Sequence, residues 1–167
     1  MYRLLATLLL TLLLSAPAIA TELPKPEGAV LLSVSGKIRF TNQDDTAVFD
    51  LVMLESLQQK TTRTRTPWSE DIDSYTGPLG RALIQAVGAE QASMMKITAL
   101  NDFSAEVPVS DFMNYDVIFA LQKNERYLRI RDRGPLFTVY PFDAHPELQT
   151  AMHYNRSVWQ VKAIEFY

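Results

Sequence analysis

The stretch Arg131-Asp132-Arg133-Gly134-Pro135-Leu136-Phe137-Thr138-Val139-Tyr140-Pro141-Phe142-Asp143 is the most tightly specified part of the chain. Gly134 allows a backbone turn that side chains resist, and Pro135 fixes the φ that follows. Pro141 ends the element, because proline cannot continue a strand ladder. Five apolar or β-branched residues between two prolines specify a short strand held between rigid corners.

Just before it, Arg129, Arg131 and Arg133 alternate with Leu128, Ile130 and Asp132. In a strand from Tyr127 to Arg131 this spacing turns Leu128 and Ile130 inward and sends the guanidinium groups out from one face. Lys123 to Arg126 reads as a turn, and the apolar run Val117 to Leu121 as a strand buried on both faces. On the other side, His145-Pro146-Glu147 opens a helix with proline in its first position, and Val158 to Tyr167 reads as a further strand.

Further toward the N-terminus, Met95, Ile97 and Ala99 alternate, Asn101-Asp102 turns, and Ala105, Val107 and Val109 alternate back, which is a hairpin. Ser110 begins a helical turn. Thr76-Gly77-Pro78 opens a helix with Leu79, Ala82, Leu83, Ala86 and Val87 on one face and Gly88 as its stop. Gln59 to Trp68 reads as a strand with one wet face, Asp50 caps a short helix carrying Leu51, Leu54 and Leu57, and Ala29 to Phe40 is strand-like with a break at Gly36. Strands and helices neither alternate regularly nor segregate. The expected class is therefore α+β, a mixed β-sheet core with short flanking helices.

The N-terminus carries an export signal: Arg3, the apolar run Leu4 to Leu14, then Ala18 and Ala20 in the small-x-small pattern. That run is 11 residues, whereas a bilayer crossing needs about 20. The expected organisation is a signal peptide over 1–20 with cleavage after Ala20, an extended leader over 21–28, and one domain over 29–167, periplasmic and with no transmembrane span once cleaved. The chain has no cysteine, so disulfide staples and thiolate chemistry are both excluded. Cleavage leaves 15 bases against 19 acids, a net charge of −4. Such acidity excludes nucleic acid as an expected partner.

Chemistry-bearing motifs are few. His145 and His153, eight residues apart on one expected helix, would sit about 12 Å apart, too far to share a metal. Glu70-Asp71-Ile72-Asp73 lacks the spacing of a calcium loop and reads as a solvated loop. Arginines carry the remaining signal. Arg63 and Arg65 leave one face of the earlier strand as Arg129, Arg131 and Arg133 leave the later one. Converging, the two strands would form an anion pocket, since the guanidinium fork suits phosphate or carboxylate. The alternative is a solvated strand face.

Several segments together resemble the oxidoreductase molybdopterin-binding domain, the sulfite oxidase-like fold, in its small exported bacterial form. They are Phe49-Asp50-Leu51 with Leu54 and Leu57, Thr66-Pro67-Trp68, Tyr75-Thr76-Gly77-Pro78-Leu79, and Ala99-Leu100-Asn101-Asp102-Phe103. Arg131-Asp132-Arg133-Gly134-Pro135, Tyr140-Pro141-Phe142-Asp143 and Arg156-Ser157-Val158-Trp159-Gln160 complete the series, which runs from about residue 29 onward. The resemblance implies a molybdopterin scaffold whose catalytic members hold the metal through one cysteine, at about the position of Thr64. A threonine hydroxyl does not replace a soft thiolate ligand.

The expectation is therefore a non-catalytic binding or sensory module with no metal ligand. Its partner would be a small anionic ligand or a periplasmic or membrane signalling protein. The expected ligand-binding residues are Arg63, Arg65, Arg131 and Arg133, with Asn101 and Asp102 at the turn and Trp68 and Tyr140 as walls. The competing expectation is a molybdopterin-dependent oxidoreductase with a non-cysteine metal site.

Overall fold

The computed structural model describes residues 23–167; the expected signal peptide and the first residues of the leader lie outside it. Three sheets and four short helices form the domain. The central sheet contains β1 (Leu32–Gly36), β2 (Ala47–Phe49), β5 (Met94–Ala99), β6 (Ser104–Pro108) and β11 (Val161–Phe166), in the order β2-β1-β11-β5-β6. Only β1 and β11 run parallel; the other pairs in this sheet are antiparallel. The alternation Met95, Ile97, Ala99 against Ala105 and Val107 buries one face, as the expected hairpin requires.

A second sheet is built from β3 (Gln59–Thr66), β4 (Ser69–Pro78), β8 (Gln122–Lys123) and β9 (Arg126–Tyr127), in that order. The third pairs β7 (Ile118–Ala120) with β10 (Phe137–Val139). Glu70 to Asp73 belongs to strand β4 rather than a loop, because β3 offers a long antiparallel partner for it. Thr76-Gly77-Pro78 continues that strand, and helix α2 begins only at Gly80. Gly77 is required there: a β-carbon would strike the Phe119 carbonyl where β4 crosses β7.

The helices are α1 (Leu51–Ser56), α2 (Gly80–Val87), α3 (Val109–Asn114) and α4 (Ala151–Arg156). Asp50 caps α1 through Met53 N–H, and Gly88 ends α2 in the left-handed conformation. Asp50 also accepts from Glu27 and Gly28 N–H at 2.8 Å each, tying residues 27–28 to α1. His145 and His153 do not share a helix. Pro146–Leu148 is a 3-10 turn, and Thr150 starts α4 afresh by capping His153 N–H. Among the described residues, no helix is long and apolar enough to cross a membrane.

Buried side chains form two clusters. The larger lies across the central sheet under α1 and α2, from Leu32 and Phe49 to Ile164 and Phe166. The smaller joins Tyr75, Leu79, Leu128, Phe137 and Val139, and packs on its open side against Trp68 and Trp159. The candidate site borders this second cluster.

Candidate functional site

Sequence alternation sets the character of β3. Thr62, Thr64 and Thr66 point inward, while Arg63 and Arg65 point out to solvent, which is the one wet face expected. The inward threonines are not equivalent. The Thr62 hydroxyl is buried without a partner among the described residues. The Thr64 hydroxyl, wholly buried, has two: it accepts from Asp143 N–H at 3.1 Å and donates to the Arg65 carbonyl at 3.0 Å. Arg65 completes the latch, its backbone N–H and Nε reaching the Asp143 carboxylate at 3.3 and 3.4 Å. Thr64 thus joins β3 to the corner after Pro141.

This arrangement bears on the molybdopterin cofactor that the resemblance implies. At Thr64, about where the resemblance implies a thiolate in catalytic members, this chain presents a hard, neutral hydroxyl whose donor and acceptor roles are both filled by backbone. The small opening beside it, lined by Arg65, Pro67, Phe142, Asp143 and Gln149, sets a carboxylate against the arginine and offers no sulfur. Among the described residues, no three His, Asp or Glu side chains gather as metal ligands. Thr64 and its surroundings do not fit a protein-held molybdenum.

The arginines of the second strand behave differently from the expectation. Tyr127 to Arg131 is not one strand: β9 stops at Tyr127, and Ile130–Asp132 forms a 3-10 turn. Ile130 consequently faces solvent, 61% exposed, instead of inward. The cause lies in two backbone bonds from Asp132 and Gly134 N–H to the Arg129 carbonyl, both 2.8 Å, which close the chain into a loop. Gly134 is needed because its α-carbon passes the Leu128 backbone with no room for a β-carbon. Curling brings the cations together without a common strand face. A cleft of about 770 Å³ is lined by Lys123, Arg126, Arg129, Arg131 and Arg133, with Asn124, Tyr127, Leu128 and Asp132.

Partial neutralisation grades these cations. Asp132 binds Arg129 at 2.6 Å and stands 4.0 Å from Arg131; the Arg129 bond holds its carboxyl below the usual range. Lys123 pairs with Asp73 at 2.7 Å. Burial alone would raise the Asp73 carboxyl, but hydrogen bonds from Lys123, Ser69 and Asn124 outweigh it and the net shift is downward. Arg133 is distinctive. Its guanidinium carbon lies 5.7 Å from the Trp68 ring centre and 5.0 Å from that of Trp159, and the two indoles meet edge to face at 4.9 Å. Among the described residues its guanidinium makes no hydrogen bond and no ion pair. It is half-buried and packed against both indoles, with its N–H groups unengaged by other described residues.

These indoles also line a groove of about 480 Å³, together with Asn101, Phe103, Ala151, Tyr154, Asn155, Ser157 and Val158. Of the expected site residues, Arg131 and Arg133 meet in the cleft, and Trp68 and Asn101 meet in the groove. Arg63 and Arg65 line neither, so the two arginine sets do not converge. Asp102 is bound to Lys162 at 2.6 Å, next to the groove but outside its lining. Tyr140 is no wall: it is buried, donating to Asp111 at 2.9 Å, with Arg156 on the same carboxylate oxygen. Burial, reinforced by the Asp111 charge, pushes its hydroxyl far above the ordinary tyrosine value. Lys123, Arg126 and Trp159 are site residues that the sequence reading leaves out. The positive-φ turn Asn124-Glu125, which folds β8 onto β9, carries the first two into the cleft.

No family model matches the chain, and no curated protein matches it. Among solved structures, the chain is similar to the sulfane dehydrogenase SoxCD from Paracoccus pantotrophus, with a TM-score of 0.58 and 18% identity. The match covers 81% of this chain and 37% of that one, so the chain spans little more than a third of that neighbour's length. The likeness shows the fold: α+β, a mixed β-core with short flanking helices, of the sulfite oxidase-like kind.

Proposed function

We propose that this protein is an exported periplasmic binding or sensory module on a sulfite oxidase-like fold, without molybdenum chemistry of its own. It takes a small anionic ligand in the arginine cleft and passes its occupancy to a periplasmic or membrane signalling protein. The observation that carries this reading is Arg133, packed against two touching indoles with its N–H groups unengaged by other described residues, beside four other cations and a single lining carboxylate. A planar guanidinium fixed in advance loses little freedom when an oxyanion arrives. The competing reading, a molybdopterin-dependent oxidoreductase with a non-cysteine metal site, draws its support from the likeness to a sulfane dehydrogenase.

Two measurements test the choice. The protein is purified from the periplasm of a strain that makes the cofactor, then assayed for molybdenum and for fluorescent pterin products. Stoichiometric molybdenum with pterin overturns the binding-module reading; folded protein lacking both supports it. Separately, Arg131→Ala and Arg133→Ala are expected to weaken inorganic sulfate or phosphate binding several-fold, and more than they weaken stability. If both variants only lower the melting temperature, the arginines are structural.

A further inference from the structure

Arg133 lines the cationic cleft, while Trp68 and Trp159, the rings it lies over, line the apolar groove. The two cavities are therefore neighbours, meeting where the Arg133 guanidinium packs against the indoles. A bare inorganic oxyanion would use only the first of them. The groove has the character of a site for an apolar body: Phe103, Tyr154, Val158 and both indoles supply its surface, and Asn101 and Asn155 supply neutral hydrogen-bonding groups. Phe103 stands 45% exposed at its rim, with nothing in the described chain covering it.

We propose that the ligand is a planar organic anion, an aromatic ring bearing a sulfonate, carboxylate or phosphate. Its ring lies in the groove against Trp68, Trp159 and Phe103, and its anionic group meets the unengaged edge of Arg133 and the cleft beyond. This rests on the binding-module reading and names the ligand class for the same site. Thr64 lines neither cavity, so the inference is independent of any metal at that position. Ring contact and charge pairing act together here because the guanidinium packs against the same two indoles that line the groove.

The experiment compares three probes by titration calorimetry and by tryptophan emission. The probes are anilinonaphthalene sulfonate, neutral phenylnaphthylamine, and inorganic sulfate. The chain contains 2 tryptophans, Trp68 and Trp159, so all of its tryptophan emission comes from this pair. The ring sulfonate is expected to bind once per chain, at least about tenfold tighter than either sulfate or the neutral amine. Phe103→Ala removes an exposed rim residue and leaves the core intact; it is expected to weaken the ring sulfonate about three- to tenfold and to leave sulfate affinity unchanged. Arg131→Ala should weaken both anions.

If sulfate binds as tightly as the ring sulfonate, or Phe103→Ala weakens both equally, the ring subsite is refuted and the anion-binding module stands. If the neutral amine matches the sulfonate, the link to Arg133 is refuted. If neither anion binds, the module reading fails as well.

Discussion

Replacing Thr64 with valine keeps the β-branched shape and deletes only the hydroxyl. That hydroxyl accepts from Asp143 N–H and donates to the Arg65 carbonyl, at zero exposure. Valine leaves Asp143 N–H facing a methyl group. Orphaning one buried donor costs about 1–3 kcal/mol, and the extra apolar group recovers a fraction of it. The net expectation is about 1–2 kcal/mol, with a melting temperature lower by about 2–8 °C for a chain of this size. Thr64→Ser loses a methyl but keeps both bonds, so the two variants separate in hydrogen exchange. Asp143 amide protection should fall in the valine variant and persist in the serine one. Thr64→Cys should melt between them, its buried thiol unreactive toward labelling while the protein is folded. A valine variant with unchanged melting temperature and unchanged Asp143 exchange would refute the latch.

Asp50→Asn tests the cap that also holds residues 27–28. Backbone donation, Met53 N–H first and then Gly28, holds the Asp50 carboxyl below its ordinary value. Its contribution is therefore complete above about pH 4 and is lost as pH falls through the lowered value. Urea midpoints of wild type and variant should differ at pH 6 and converge under strong acid; a gap that stays constant down to acid would sink the assignment. Tyr140→Phe should cost about 1.5–3 kcal/mol by removing a bond to a buried carboxylate, and Asp111→Ala about 3–5 kcal/mol by also stranding Arg156. Denaturant unfolding measures both, and a Tyr140→Phe variant as stable as wild type contradicts the network.

Elements whose signal is local were legible in the sequence. Pro135 and Pro141 frame β10, Gly88 ends α2, Asp50 caps α1, and the Met95/Val107 alternation makes a hairpin, because each depends on neighbours within a few residues. Strand β4 was not legible, since a polar run such as Glu70 to Asp73 becomes a strand only when β3 pairs with it. The arginine spacing was misleading for a related reason. Period-two alternation predicts one face only in extended chain, and the Arg129 carbonyl turns this segment back on itself. Tyr140 illustrates the remaining difficulty. A tyrosine next to Pro141 looks like a cleft wall until its hydroxyl is seen donating to Asp111, 29 residues earlier. Trp159, quoted within a recognisable segment, gained a role only when folding set it beside Trp68 and Arg133.

The order of the central sheet has a consequence for how the protein is made. Its two parallel neighbours, β1 and β11, lie 130 residues apart at the Ser33–Ala163 pair, and β11 also joins β1 to β5. Until β11 emerges from the ribosome, the β2-β1 ribbon and the β5-β6 hairpin remain separate two-stranded pieces, each only marginally stable alone. Closing so long a loop costs entropy, so the central sheet is the last of the three to be completed.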